Sequence, residues 1–459
     1  MMPTMVSLAH KSESGREAHL QATLNVIPAH TWYALPSGAL TFVSVRTADY
    51  LGLPKDHPLR FGIDTGASWD LIMHSRGPEL RKFLAPEIVF GVGALHLAGQ
   101  YGRNLGGSKA LVVSDPGVLA AGWTQQVLAG VETAGLESAL FTQVTPNPRF
   151  DEVTAGAAVY AEQRCDVIIA VGGGSVIDCA KCIGLLSANP GDLRALLGVD
   201  NVSAPMPPTV CVPTTAGTSA DVSQFAVLAD REIKRKLLII SKAVVPDISL
   251  IDPATLTTMD AFQTACTGMD ALTHGLESYV SLGRSPLTDN HALRAMRLIS
   301  SNLEKTIAEP NNLEYRTNMM LGSLEAGLAF SNASLGAVHA MSHSVGGLLD
   351  LPHGHCNAML FDSVIDFNFG HAEQRYRDIA AAVGIEAGGL PSSEIRVRLR
   401  NELRRLRDAI GFHDTLSGSG VHRTDVRELA EFALDDVCVV TNPRQANQRD
   451  IEVMYEESL

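Results

Sequence analysis

The run DVIIAVGGGSVIDCAKCIGLLS, residues 166–187, decides the fold. Asp166 to Val171 is apolar and β-branched without alternation, the pattern of a strand buried on both faces. It runs directly into Gly172, Gly173, Gly174 and Ser175, and from Val176 to Ser187 the apolar residues take helical spacing. Strand, glycine turn and helix make one βα unit. Glycines let a backbone approach a pyrophosphate closely, and a helix N-terminus offers free N–H groups to an anion. Ser175 is the expected N-cap. A tight turn with no ligand is the competing reading, but three consecutive glycines are more than a cap requires.

Similar units flank this one. Glu87 to Phe90 is a short strand ending at Gly91 and Gly93; the third glycine of a dinucleotide fingerprint is replaced by His96, so this is a strand-end turn. Lys109 to Asp115 is a buried strand, followed by Pro116, Gly117 and a helical run to about Ala134. Ala139 to Val144 reads as a strand and Asp151 to Gln163 as a helix. Thr209 to Pro213 is a strand opening onto Thr214, Thr215, Thr218 and Asp221, where hydroxyls suit a phosphate or ribose, or simply satisfy an irregular loop. Phe225 to Leu228, Lys236 to Ile240 and Ile248 to Ile251 continue the strand series. Of Lys234, Arg235 and Lys236, one cation could stand over a phosphate, or all three could form a solvated face. The alternation predicts an α/β unit with a doubly wound parallel sheet over residues 79–253.

After Asp252 and Pro253 the texture turns helical. Asp260 to Val280, Asp289 to Glu304, Leu313 to Phe330 and Ser393 to Ile410 show apolar periodicity near 3.6. Residues 254–459 are expected to be all-α. Within them, Asp270 and His274 stand at i,i+4, and so do His339 and His343, which puts each pair on one helix face. His353 follows Pro352, expected to end a helix and aim a loop. A lone histidine on an apolar face is usually a hydrogen-bonded core residue. Four of them with an aspartate point instead to a divalent-metal site, and one carboxylate among imidazoles suits Fe(II) or Zn(II).

Composition narrows the partners. The 459 residues are 46% hydrophobic and 19% charged, with a net charge of -14 against which no Lys/Arg-rich run stands out. That argues against nucleic acid or an anionic membrane as a partner. The seven cysteines are odd in number and lie in apolar surroundings, consistent with reduced thiols. The N-terminus lacks a signal-peptide core, and no stretch approaches the roughly 20 apolar residues of a membrane span. A cytoplasmic protein is expected.

Residues 1–21 are polar and read as a flexible tail. Residues 22–78 have another texture, with Trp32 and Trp69 among short apolar runs. The hairpin-like TWYALPSGALTFVS and the following TADYLGLPKDHPLRFG resemble the opening of a PAS domain of the sensor-kinase type. The likeness spans only about half of such a domain, and a hairpin with one helix is marginal alone. A remnant or docking segment is expected, or, as the plainer reading, a loosely ordered extension with no activity of its own.

The segments GGGSVIDCAK, PTTAGTSAD, TGMDALTHGLESYVS, VHAMSHSVGG, LPHGHCNAML and the late CVVTNPR together resemble the iron-containing (group III) alcohol dehydrogenase family, from about Leu80 to Leu459. The resemblance implies an α/β dinucleotide domain and an all-helical metal domain with the active site between them. It implies Asp270, His274, His339 and His353 as ligands of Fe2+ or another divalent ion. His343 is implied as a non-ligand beside the nicotinamide and a proton relay, and His355 as a residue behind the ligands. Gly172, Gly173, Gly174 and Ser175 fall on the pyrophosphate loop. Thr214, Thr215 and Thr218 line the cofactor cleft, and Lys236 contacts the cofactor. Asp115 ends an early strand, where a carboxylate accepts from a ribose 2′-OH and repels a 2′-phosphate, so NAD is implied over NADP. The activity implied is oxidation of a primary alcohol to an aldehyde, and the reverse, in a dimer or higher homo-oligomer. Two rivals stand beside it: a dehydrogenase-like sensor acting with a signalling kinase through residues 22–78, and a lyase of the dehydroquinate-synthase type, which the absence of an arginine cluster near the ligands disfavours.

Overall fold

The computed structural model describes residues 82–459 and, before them, two strands, β1 (Trp32–Ala34) and β2 (Leu40–Val43). These two pair antiparallel with Tyr33 opposite Phe42, the hairpin expected at that place. The rest of residues 1–81, on which the tail and PAS-like readings fall, lies outside the described residues.

From residue 82 the chain alternates as the apolar runs require. The order is β3 (Glu87–Phe90), α1 (Ala98–Asn104), β4 (Lys109–Val113), α2 (Pro116–Ala120), α3 (Trp123–Thr133), β5 (Glu137–Phe141), α4 (Phe150–Glu162), β6 (Val167–Gly172), α5 (Gly174–Ala188), β7 (Gly198–Val199), β8 (Thr209–Pro213), β9 (Phe225–Asp230), β10 (Arg235–Ile240) and β11 (Ile248–Ile251). Six strands form one sheet in the order β3-β11-β8-β6-β4-β5, with every pair parallel. All six residues of β6 are buried, as expected of a central parallel strand. The β6–β8 register sets Gly172 opposite Pro213, so the glycine loop and the threonine loop leave the sheet side by side.

Three local expectations are corrected. β9 and β10 do not extend the parallel sheet: they pair antiparallel, with β7 on the other side of β10, in a separate three-stranded sheet. Only Arg231 to Lys234 separate them, and a turn that short admits a hairpin but no parallel crossover. The helical run after Pro116 breaks at Gly122, whose φ of 87° is left-handed. The helix after the glycines starts at Gly174 with Gly173 as its N-cap, so Ser175 lies inside the first turn rather than at the cap.

The remaining chain is helical: α6 (Ala261–Val280), α7 (Pro286–Ala308), α8 (Leu313–Ala333), α9 (Ala337–Leu349), α10 (His353–Asn368), α11 (Glu373–Ala382), α12 (Ser392–Ala409), α13 (Val426–Asp435) and α14 (Gln448–Ser458). Asp260 caps α6 by accepting from the Gln263 amide at 2.7 Å. Ser285 caps α7 in a capping box with Pro286 in the first turn. Where α10 meets α6 the backbones nearly touch: a Cβ on Gly354 would lie 1.9 Å from the carbonyl oxygen of Cys266. Only glycine fits there, and this contact brings His353 beside Asp270. His353 is therefore the first residue of a helix and not part of a loop. The seven cysteines are free and buried. No helix among the described residues is long and apolar enough to cross a membrane.

Candidate active site

One cavity of about 1000 Å³ has the loops at the C-terminal ends of β4, β6 and β8 on one wall and α6, α9 and the start of α10 on the other. Ligands of open parallel sheets bind at such strand ends. Asp115, Gly173, Gly174, Ser175, Thr214, Thr215, Thr218, Lys236, Asp270, His274, His339, His343 and His353 all line it. Gly172 sits just beneath, at the end of β6.

The sheet side is built for an anion. No side chain caps α5, so its first amides face the cavity without an internal partner. A Cβ on Gly173 would come within 3.0 Å of Thr215 Cγ2, and one on Gly174 within 2.4 Å of Thr218 Oγ1. The glycines are what let the threonines close over this loop. This cradle fits a cofactor pyrophosphate at a helix N-terminus. Asp115 caps α2 with one oxygen, accepting from the amides of Gly117 at 2.7 Å and Val118 at 2.9 Å. Its carboxylate thereby stays on the cavity rim.

On the helical side, the Nε2 atoms of His274, His339 and His353 lie 3.7, 3.7 and 3.6 Å from Oδ1 of Asp270. These spacings exceed hydrogen-bond length. They match donors gathered about a shared cation, which at bonds of about 2.1 Å and tetrahedral angles stand about 3.4 Å apart. Asp270, His339 and His353 each present an atom within 4.8 Å of the other two. His274 joins them through its own approach to Asp270, with its ring stacked on His339 at 4.6 Å and on Phe330 at 4.2 Å. A carboxylate with three imidazoles, converging on one side of the cavity, fits iron(II) or another borderline divalent ion.

Burial pushes the His274 imidazolium pKa down to about 4 and that of His353 well below its usual value, so both rings are neutral and free to donate a lone pair. For His339 burial acts the same way but is outweighed by the carboxylates of Asp270 and Glu277, which raise it to about 9. An arriving cation would displace that proton.

Several partners of these side chains were not legible beforehand. Glu277 Oε2 lies 2.6 Å from His339 Nδ1, and the same carboxylate accepts from the amides of Gly336, Val338 and His339 at 3.1, 2.6 and 3.3 Å. It both caps α9 and turns the His339 ring. Asn357 Nδ2 donates to Asp270 Oδ1 at 2.8 Å. Asp436 Oδ2 lies 2.7 Å from His343 Nδ1 while Oδ1 accepts from the Cys438 amide at 2.8 Å. Burial works against the Asp436 charge, but His343 and that amide hold its carboxyl below the usual range. Glu277 carried a signal in sequence: it follows Asp270 by seven residues on the same helix face. Asp436 carried none.

Two expectations are refined. His343 stacks on His353 at 5.0 Å but stands outside the donor group around Asp270; its ring lines the cavity with Nδ1 turned to Asp436. His355 does not back the ligands; its Nε2 lies 3.1 Å from Asp414, and its ring packs on Phe262 and Phe412. The basic run also divides. Arg235 lies over the Phe432 ring and pairs with Asp435, whereas Lys236 reaches the cavity, its ammonium made less basic by burial.

The fold and the donor set together describe a metal- and dinucleotide-dependent oxidoreductase. Residues 85–253 match the model of iron-containing alcohol dehydrogenases, and residues 264–459 match the C-terminal part of the Fe-containing alcohol dehydrogenase family. The 1,3-propanediol dehydrogenase of Klebsiella pneumoniae is 40% identical over 379 residues, covering 82% of this chain and 98% of that one. The NAD-dependent methanol dehydrogenase of Bacillus methanolicus is 36% identical, covering 82% of this chain and 99% of its own length. A crystal structure of a 1,3-propanediol oxidoreductase superposes with a TM-score of 0.81 at 39% identity, over 83% of this chain and all of that one. The chain belongs to the iron-containing alcohol dehydrogenase family.

Proposed function

We propose that this chain oxidises a short primary alcohol or diol to the aldehyde with NAD, and runs the reverse reaction. The supporting observation is the meeting, in one cavity, of the glycine cradle at Gly173–Ser175 and the donor group centred on Asp270. The relatives named for 1,3-propanediol and methanol support a small alcohol. Asp115 on the rim supports NAD over NADP.

In this reading Asp270, His274, His339 and His353 hold a divalent iron, Gly172, Gly173, Gly174 and Ser175 hold the pyrophosphate, and Thr214, Thr215, Thr218 and Lys236 line the cofactor cleft. When bound, the ion supplies Lewis acidity to an alcohol oxygen and the nicotinamide supplies a hydride acceptor. The protein's own part is orientation and proton handling. Asp436, accepting from Nδ1–H of His343, leaves Nε2 of that ring as the base that takes the hydroxyl proton. Glu277 and Asn357 fix the His339 ring and the Asp270 carboxylate. Phe330 and Leu335 keep the centre apolar.

We also read residues 79–253 and 254–459 as the two catalytic domains, residues 22–78 as a PAS-like docking segment, and the enzyme as a cytoplasmic homo-oligomer. The relatives carry enzymatic names, and nothing favours the sensor alternative. The test is NAD reduction by the iron-loaded protein across short alcohols and diols, beside a 1–78 deletion. Turnover retained by the deletion supports the scheme; no turnover on any alcohol overturns it.

A further inference from the structure

Two non-glycine residues in left-handed backbone meet over the cavity, one from each wall. Asn147 has a φ of 56° and Asp350 a φ of 55°. Asn147 lies between Pro146 and Pro148 in the loop between β5 and α4, and Asp350 is the C-cap of α9, a position that usually takes glycine. Asn147 Nδ2 donates to Asp350 Oδ1 at 2.7 Å, and Arg231 Nη2 lies 3.4 Å from Asp350 Oδ2.

Each end of this contact leads to one half of the chemistry. The backbone amide of Asn147 donates to Ser175 Oγ at 3.3 Å, in the first turn of α5 where the glycine cradle lies. Asp350 is joined through Leu351 and Pro352 to His353, whose Nε2 stands 3.6 Å from Asp270. Asn147, Ser175, Asp350, Pro352 and His353 all line the same cavity. Asp350 thus joins the C-terminal end of α9 to the lead into α10, with its half-exposed carboxylate on Asn147.

Resting on the functional reading above, we propose that Asn147 and Asp350 are positioning residues. They form a strap that couples occupation of the phosphate cradle to retention of the metal at His353. A cofactor pyrophosphate that orders Ser175 orders Asn147, which holds Asp350 and so the segment carrying His353. Coupling is reciprocal, so a filled metal site must tighten cofactor binding by the same factor.

The test uses the full chain loaded with Fe2+ under anaerobic conditions. Iron affinity is measured at equilibrium against a colorimetric chelator with and without saturating NADH, and NADH affinity is titrated by fluorescence with and without metal. The wild type should show coupling of about fivefold or more in both. Asn147→Ala and Asp350→Ala should each bring the factor close to one. The exchange Asn147→Asp with Asp350→Asn, which reverses donor and acceptor across the same contact, should recover most of it. Unaltered coupling in both single variants, with melting temperatures like the wild type, overturns the strap. So does a double exchange that behaves as the sum of its singles. A wild type that takes up neither iron nor NADH overturns the functional reading itself, and the strap with it.

Discussion

Oε2 of Glu277 lies 2.6 Å from Nδ1 of His339, and both side chains are buried. The carboxylate also collects three amides at the start of α9, so one residue fixes a helix, the orientation of a ring and the direction in which Nε2 points.

Replacing Glu277 should therefore loosen the metal before it touches the cofactor. Glu277→Gln keeps the volume and some amide contacts but removes the charge behind His339. Loss of such a partner lowers metal affinity by about 10- to 100-fold. Chelator competition measures it, with NADH affinity of the metal-free protein as the control expected to stay constant.

His343 and Asp436 should separate from the ligands in the opposite sense. His343→Ala should retain full metal content and lose about 10²- to 10⁴-fold in kcat, the range for a missing acid–base group. Asp436→Asn should fall in the same direction by less, because the ring remains but its tautomer is no longer enforced. Metal analysis beside steady-state kinetics checks both; a metal-free His343→Ala would reassign that ring as a ligand.

Gly174→Ala tests the cradle. Its Cβ would fall 2.4 Å from Thr218 Oγ1, forcing the threonine loop away. Overpacking of this kind costs about 1–3 kcal/mol; drawn from the bound cradle, that amount would weaken NADH by about 5- to 150-fold. Metal content should not change.

Asp178 gives a pH signature. It is buried on α5, near Lys181, whose ammonium donates to the carbonyls of Ser223 and Phe225 at 2.9 and 2.8 Å. Burial, partly offset by Lys181, pushes the Asp178 carboxyl pKa up to about 7. Between roughly pH 4 and 7 the folded chain keeps a proton there that the unfolded chain releases, so this group's contribution falls as pH rises through that window. Asp178→Asn should gain in melting temperature relative to the wild type from pH 4 to 7, and the difference should then level off. A constant difference across that range would contradict the assignment.

Much of this was legible before any coordinates. The doubly wound sheet followed from βα alternation around Val167–Gly172, and the shared face of α6 from the spacing of Asp270 and His274. What escaped depends on the third dimension. β9 and β10 show the same apolar runs as core strands, and only the four-residue turn between them betrays a separate hairpin. Ser175 has the chemistry of a cap, yet the helix starts two residues earlier than that cap implies, with Gly173 in the cap position and no side chain bonded there. Asp436 stands 93 residues from His343, and no periodicity links them. His353 was expected in a loop because proline precedes it, whereas proline just before a helix leaves its first turn intact.

The proposed function turns on the group around Asp270 holding a catalytic divalent ion beside a bound nicotinamide. The most direct measurement is metal analysis of anaerobically purified protein, coupled to NAD reduction with 1,3-propanediol, for wild type and His353→Ala. About one iron per chain and steady NAD reduction are expected in the wild type, with both lost together in His353→Ala. Full NAD reduction by a His353→Ala protein that holds no metal would contradict it.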